Sequence, residues 1–452
     1  MFIPSEIRRI SRRAVLAVTT LVFAAGVHAA VPIQHWTLPS GAKIYLAATN
    51  ALPIVDVQID FDAGGRRDPP AQAGLASVTA GMVEKGMRAS GSDPAMDQNA
   101  LGEAWADLGA SFDVGAGSDR TSFTLRTLSN PALLDKAVRL AAREIGEPAF
   151  PEDVWKRERE RINAAIREAN TKPATIAEKA FSQAVYGTHP YGLDTTEATL
   201  ARIDVTTMRQ RYEQLIVPCR AKVSIVGAVT REQAGEIATA LLSRLPSSSS
   251  ACAALPPVPE VAPLTAAKEE RIAHDSAQAH VIIGQPGYRR ADPDHFALNL
   301  GNYVLGGGGF VSRLTEEVRE KRGLAYSVYS TFSPGLHAGA FRIGFQTRPD
   351  QADEAVKVSR DVLAKFVAEG PSAAELKAAK DNLIGGFPLL LDSNRKLLGN
   401  VANIAWNDLP LDYLDTWTAR MNAITAADIK AAFARKLQPD QMVTVVVGGG
   451  KP

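Results

Sequence analysis

Arg319 and Tyr326 lie seven residues apart in EEVREKRGLAYSVYS (316–330). A charged helix is predicted to end near Gly323 and give way to a strand carrying Tyr326 and Tyr329. An Arg on the last turn can reach the first strand residue. The two side chains together would offer N–H and O–H donors to a substrate carbonyl or oxyanion. The same residues also read as a solvated helix end followed by a tyrosine-bearing strand.

A second stretch raises the opposite question. In GLASVTAGMVEKG (74–86), Leu75, Val78, Thr79, Met82 and Val83 recur at the spacing of one helical face. Gly81 sits inside that pattern, where Gly costs about 1 kcal/mol relative to Ala. Nothing from Ser77 to Gly81 binds a metal well or moves a proton at neutral pH.

Other chemistry is thin. LGGGGFVSRL (305–314) has glycines before a helix but no G-K-[ST], so it reads as a flexible or closely packed turn rather than a phosphate cradle. The histidines are 28, 35, 189, 274, 280, 295 and 337, and none forms an H-x-x-x-H pair on one helix with a carboxylate between. His189, in YGTHPYG, is expected to be structural. In WKRERERINAAIREAN (155–170), Glu158, Arg161 and Ala165 share one helical stripe, and the alternating charges lapse at Ala164 and Ala165.

The elements that must position these residues come next. VDVQIDFDAG (55–64) and AHVIIGQPG (279–287) alternate as half-buried strands. NPALLDKAVRLAAREIG, PEDVWKRERERINAAIREAN and PSAAELKAAKDNLIGGF read as helices. Residues 203–227 align without gaps on 424–448: Ile203 with Ile424, Tyr212 with Phe433, Pro218 with Pro439, and Val226-Gly227 with Val447-Gly448. SFTLRTLSNPALLDKAV (122–138) parallels FRIGFQTRPDQADEAV (341–356) in the same way. A repeat of about 220 residues is too long for a solenoid and predicts a duplicated domain. The fold class expected is α+β, with two homologous halves, each an antiparallel sheet covered on one face by helices. Residues 31–245 and 271–452 form the halves. A Ser/Pro/Ala-rich linker, 246–270, joins them. Cys252 falls in that segment, and in an oxidising compartment it either pairs with Cys219 or leaves two free thiols.

Composition bounds the rest. The chain has 452 residues, 46% hydrophobic, with 50 Lys and Arg against 49 Asp and Glu. No basic surplus points to nucleic acid. Arg8, Arg9, Arg12 and Arg13 precede an apolar run ending in VHAA, which predicts a signal peptide over residues 1–30 cut after Ala29 or Ala30. The run is shorter than the roughly 20 residues of a spanning helix. An uncleaved anchor is the alternative. The expected location is the periplasm, by general or twin-arginine export, with no stable membrane span after cleavage.

Together these stretches resemble the pitrilysin/insulinase family of zinc metallopeptidases, which includes the mitochondrial processing peptidases. The resemblance covers nearly the whole chain after residue 30. LGGGGFVSRLTEEVREKRGLAYSVYS is its most specific part. Catalytic members carry G-x-A-H-x-x-E-H-M-x-x-K-G; here Gly74, Ala76, Met82, Lys85 and Gly86 keep the frame. The resemblance puts Ser77 and Gly81 where the two His ligands stand and Ala80 where the general-base Glu stands. It puts Ala165 at the third zinc ligand, a Glu in E-R-E-x-x-x-x-E-I. It implies a degenerate zinc site, no cofactor bound by this chain, and a zinc-bearing homologous partner whose H-x-x-E-H motif completes a heterodimer around an extended peptide. Arg319 and Tyr326 match the R-x-x-x-x-x-x-Y pair of the family's noncatalytic subunits, as substrate or oxyanion donors in trans. The alternative is a peptide-binding or scaffold module, like noncatalytic core subunits of respiratory complexes. A free-standing hydrolase has no G-x-S-x-G or Cys–His arrangement behind it.

Overall fold

The computed structural model describes residues 32–246 and 252–450. The segment read as a signal peptide, residues 1–30, therefore lies wholly outside the described residues.

Among the described residues, alternating apolar positions build thirteen strands. The first half has β1 (Ile33–Thr37), β2 (Lys43–Ala48), β3 (Ile54–Phe61), the short pair β4 (Gly86–Met87) and β5 (Met96–Asp97), β6 (Ser111–Ala116), β7 (Thr121–Leu128) and β8 (Lys222–Gly227). The second half has β9 (Lys268–Ile272), β10 (Ala279–Tyr288), β11 (Ala325–Phe332), β12 (Gly339–Thr347) and β13 (Val443–Val447). The first sheet runs β6-β7-β3-β8-β2-β1 and the second β11-β12-β10-β13-β9. Position by position these are the same sheet, with β1 as an added edge.

The sheets are mixed rather than purely antiparallel, because β2 pairs with β8, and β9 with β13, in parallel. Geometry requires this. Each late strand inserts between two earlier ones that run in opposite directions. Antiparallel to β3 or β10, it must be parallel to β2 or β9. β8 and β13 are buried along nearly their whole length, as a central strand covered on both faces should be.

Cover on one face is also only part of the packing. Each sheet packs its own half's helices on one face and one helix from the opposite half on the other. The Asn394–Trp406 helix lies on β2, β3 and β8, with Leu397, Val401 and Ala405 against Tyr45, Ala47 and Val226. The Pro173–Tyr186 helix lies on β10 and β13, with Ala177, Phe181 and Val185 against Ile282, Val443 and Val445. Fully burying a side chain such as Phe181 is worth about 1.5–3 kcal/mol. The exchange therefore holds the two halves in one orientation.

From residue 252 on, the connecting segment is pinned, against the flexibility its composition suggests. Cys219 and Cys252 form a disulfide with Cα atoms 6.0 Å apart. Arg67 donates to the Pro256 carbonyl, Arg220 to Ala253 (2.8 Å), and Glu260 accepts from Ala338 N–H (2.8 Å). β9 begins at Lys268, inside the segment read as linker.

Candidate functional site

The helix that the sequence leaves blank runs Leu75–Val83. Its N-terminus is fixed by a carboxylate. Asp68 accepts from the N–H groups of Gly74 (3.1 Å) and Ala76 (3.1 and 3.2 Å), taking two of the donors a helix start leaves unpaired. Arg211 pairs with Asp68 at 2.9 Å and also donates to the carbonyls of Ala63, Gly64 and Arg67. Burial pushes the Asp68 carboxyl up from its ordinary value, against the pull of Arg211 and the backbone N–H groups. Burial likewise lowers Arg211. This pair sets where Ser77 and Gly81 stand.

Leu75, Val78, Thr79, Met82 and Val83 face the core, as their spacing predicts. Ala80 is buried too, while Ser77 and Gly81, one turn apart, are exposed. Ala165 is exposed on the Glu152–Ala169 helix. Lys85, two residues past the blank helix, reaches Glu158 at 3.8 Å, and Arg161 braces Glu158 at 2.7 Å. A cavity of about 280 Å³ opens beside Ser77, lined by Arg66, Asp68, Gly74, Gly117 and Tyr191 among others. Both charged residues there are consumed by ion pairs: Arg66 with Asp62 (2.6 Å) and Asp119 (3.2 Å), Asp68 with Arg211.

Zinc does not fit these residues. A zinc centre needs three or four N, S or O ligands, and Ser77, Ala80, Gly81 and Ala165 supply one hydroxyl between them. Among the described residues no three His, Cys, Asp or Glu side chains are grouped to hold a metal. His189 is structural: Nδ1 accepts from Tyr191 N–H (3.1 Å), so Nε2–H donates to the Pro259 carbonyl (3.0 Å).

The second half carries the other candidate residues. Two π-helical turns, Tyr303–Gly307 and Thr315–Glu320, follow one another closely. Their i→i+5 bonds include Gly308 N–H to Tyr303 O (2.8 Å) and Lys321 N–H to Glu316 O (2.9 Å). Such turns are rare and recur at functional sites. The glycine run is a closely packed turn. A Cβ on Gly306 would stand 2.5 Å from Ser330 N, and Gly309 has φ +61°.

Between the π turns Phe310 and Val311 stand 72% and 70% exposed. Arg319 Cζ lies 4.7 Å from the Phe310 ring centre and 5.0 Å from that of Tyr326. Cation–π contacts at such exposed sites are worth about 0.5–1 kcal/mol each. Arg319 Nε lies 3.3 Å from Glu320 Oε1. Neither Arg319 Nη nor the Tyr326 hydroxyl has a hydrogen bond among the described residues, and Tyr326 is 82% exposed. The cluster therefore presents unpaired N–H and O–H donors beside an apolar surface. Phe310 was not singled out by its sequence. Its only local sign is a large apolar residue directly after four glycines.

The chain is similar to known proteins along most of its length. Residues 43–199 match the model of insulinase, peptidase family M16, and residues 202–383 match that of the peptidase M16 inactive domain. A crystal structure of a peptidase M16 inactive domain from Pseudomonas fluorescens superposes with a TM-score of 0.86 at 32% identity, covering 93% of this chain and 100% of that one. An uncharacterised zinc protease of Streptomyces coelicolor is 28% identical over 433 residues, 93% of this chain and 90% of its own length. A protein of Helicobacter pylori named a non-peptidase homolog is 23% identical over 88% of this chain and 90% of its own. With its two sheets of one topology and these matches, the chain belongs to the insulinase peptidases, family M16, and its residues 202–383 are of the family's inactive-domain type.

Proposed function

We propose that this chain is the noncatalytic subunit of an exported two-chain zinc peptidase, and that a homologous partner with an intact H-x-x-E-H motif supplies the metal and the general base. The observation that carries this reading is the pairing of opposites. The residues at the zinc positions have no ligand chemistry, while Arg319 and Tyr326 present unpaired donors on a surface held by two π turns. Within the complex, Arg319 would hold a substrate or intermediate oxygen by a charge-assisted bond, and Tyr326 would add a second through its hydroxyl. Ser77, Ala80, Gly81 and Ala165 mark the positions whose chemistry the partner provides.

The test is copurification with a zinc-bearing relative from the same genome, followed by Arg319→Ala and Tyr326→Ala in the reconstituted pair. Loss of one oxyanion-type donor should lower kcat by about 10²–10³ with the complex intact. Unchanged turnover removes the assigned role. A second reading, a peptide-binding module without catalysis, is favoured by Phe310 and Val311, since a contact surface needs exposed apolar groups and an oxyanion site does not. Under that reading the variants weaken peptide binding and leave any turnover unaltered.

A further inference from the structure

The two sheets treat their outer edges differently. On β11 the outward carbonyls are met from the same half: Ser330 O accepts from Asn302 Nδ2 (3.1 Å) and Val328 O from Thr315 Oγ1 (3.4 Å). The equivalent edge of the first sheet is β6. At its hairpin end Gly117 N–H donates to Arg120 O, so residues 111, 113 and 115 bond inward to β7. Phe112, Val114 and Ala116 therefore turn their N–H and C=O groups outward. Such an edge is a template for another strand.

One of its groups is already taken. Glu84 Oε1 accepts from Val114 N–H at 2.9 Å. Glu84 is the C-cap residue of the Leu75–Val83 helix, so the end of that helix delivers a carboxylate to the middle of the edge. Among the described residues no other hydrogen bond reaches the N–H of Phe112 or Ala116. An incoming strand would need Val114 N–H as its central donor. Taking it would leave the half-buried Glu84 carboxylate unbonded beside Asp113.

We propose that Glu84 is a plug on the β6 edge, which keeps the first half of this chain from taking up an extended polypeptide by strand addition. The occupant it excludes is an extended, β-prone segment recognised through its backbone. This device is independent of Arg319 and Tyr326, which lie on the other half.

A fluorescein-labelled, end-blocked peptide of alternating Thr and Val, titrated by anisotropy, tests it on the full chain. Glu84→Ala should bind about tenfold more tightly than wild type or better, and hydrogen exchange should show residues 111–116 newly protected by the peptide. Glu84→Gln keeps an acceptor oxygen and should stay with wild type. Equal binding by wild type and Glu84→Ala, tighter binding without protection of 111–116, or opening by Glu84→Gln as full as by Ala, each overturns the plug. If Glu84→Ala does not fold, exchange in wild type decides: the Val114 amide should exchange more slowly than those of Phe112 and Ala116, and equal rates overturn the proposal.

Discussion

Glu144 gives the sharpest quantitative handle on the first half. Its carboxylate is buried at 1% exposure beneath the edge strands, accepting from Trp105 Nε1 at 2.9 Å. Burial pushes its pKa from 4.5 up to about 8; the Trp105 N–H pulls the other way, and Glu84 and Asp113 add to the rise. Below pH 4.5 the folded and unfolded chains both hold this proton. Between pH 4.5 and about 8 the folded state holds it and the unfolded state has released it, so stability falls as pH rises. At about 1.4 kcal/mol per pH unit the loss is about 3 kcal/mol by pH 7 and about 5 kcal/mol once both forms are ionised. Glu144→Gln keeps an acceptor for Trp105 and removes the titration. Denaturant unfolding at pH 5, 7 and 9 should show variant and wild type within about 1 kcal/mol at pH 5. The variant should be more stable by about 3 kcal/mol at pH 7 and about 5 kcal/mol at pH 9. A difference that does not change with pH would refute the claim that folding keeps this carboxyl protonated.

Three further perturbations probe the scaffold. Gly81 has open space where a Cβ would go, and Ser77 and Ala165 are exposed, so the folded triple variant Ser77→His, Gly81→His, Ala165→Glu should take up one zinc per chain by metal analysis; a folded variant without zinc contradicts the placement of Ala165 as third ligand. Arg211→Ala strands the buried Asp68 and should cost about 3–5 kcal/mol, read as a lowered unfolding midpoint; a loss under 1 kcal/mol would mean Asp68 does not depend on it. Cys219→Ser opens a 33-residue loop and should cost about 3–4 kcal/mol in the chain-entropy model, checked by guanidinium unfolding with and without reductant.

Much of the fold was legible because it is local. The Pro131–Gly146, Glu152–Ala169 and Ala373–Gly386 helices sit where spacing and turn residues place them. The gapless match of 203–227 on 424–448 resolves into a helix, a turn and the corresponding interior strands β8 and β13 of the two sheets. What escaped is set by long-range partners. An amphipathic helix declares that one face is buried but not against which sheet, so the crossing of Pro173–Tyr186 and Asn394–Trp406 into opposite halves left no sign. Parallel pairing likewise depends on where β8 and β13 insert, although their uninterrupted apolar runs hinted at central positions. The Ser/Pro composition of 246–264 records poor helix and strand propensity. It says nothing of the disulfide and side-chain bonds that pin that segment.

At the site, the blank face of the Leu75–Val83 helix is legible only against a family pattern. No physical rule marks Ser77 or Gly81 as a place where something is missing. The π turns flanking Phe310 were invisible, since an i→i+5 bond has no compositional signature. Arg319 and Tyr326 stand out in the sequence because their types and spacing suit donor chemistry. That the guanidinium would rest on two aromatic rings depended on Phe310, whose position only the folded turn reveals.

The central claim is that the described residues of this chain lack the ligands needed to grip zinc and the base needed to activate its water. The direct measurement is metal content and peptidase activity of the homogeneous full chain, with and without a chelator. We expect substoichiometric zinc and no chelator-sensitive cleavage until a homologous H-x-x-E-H chain is added. One zinc per chain, together with proteolysis that the chelator abolishes, would contradict the account.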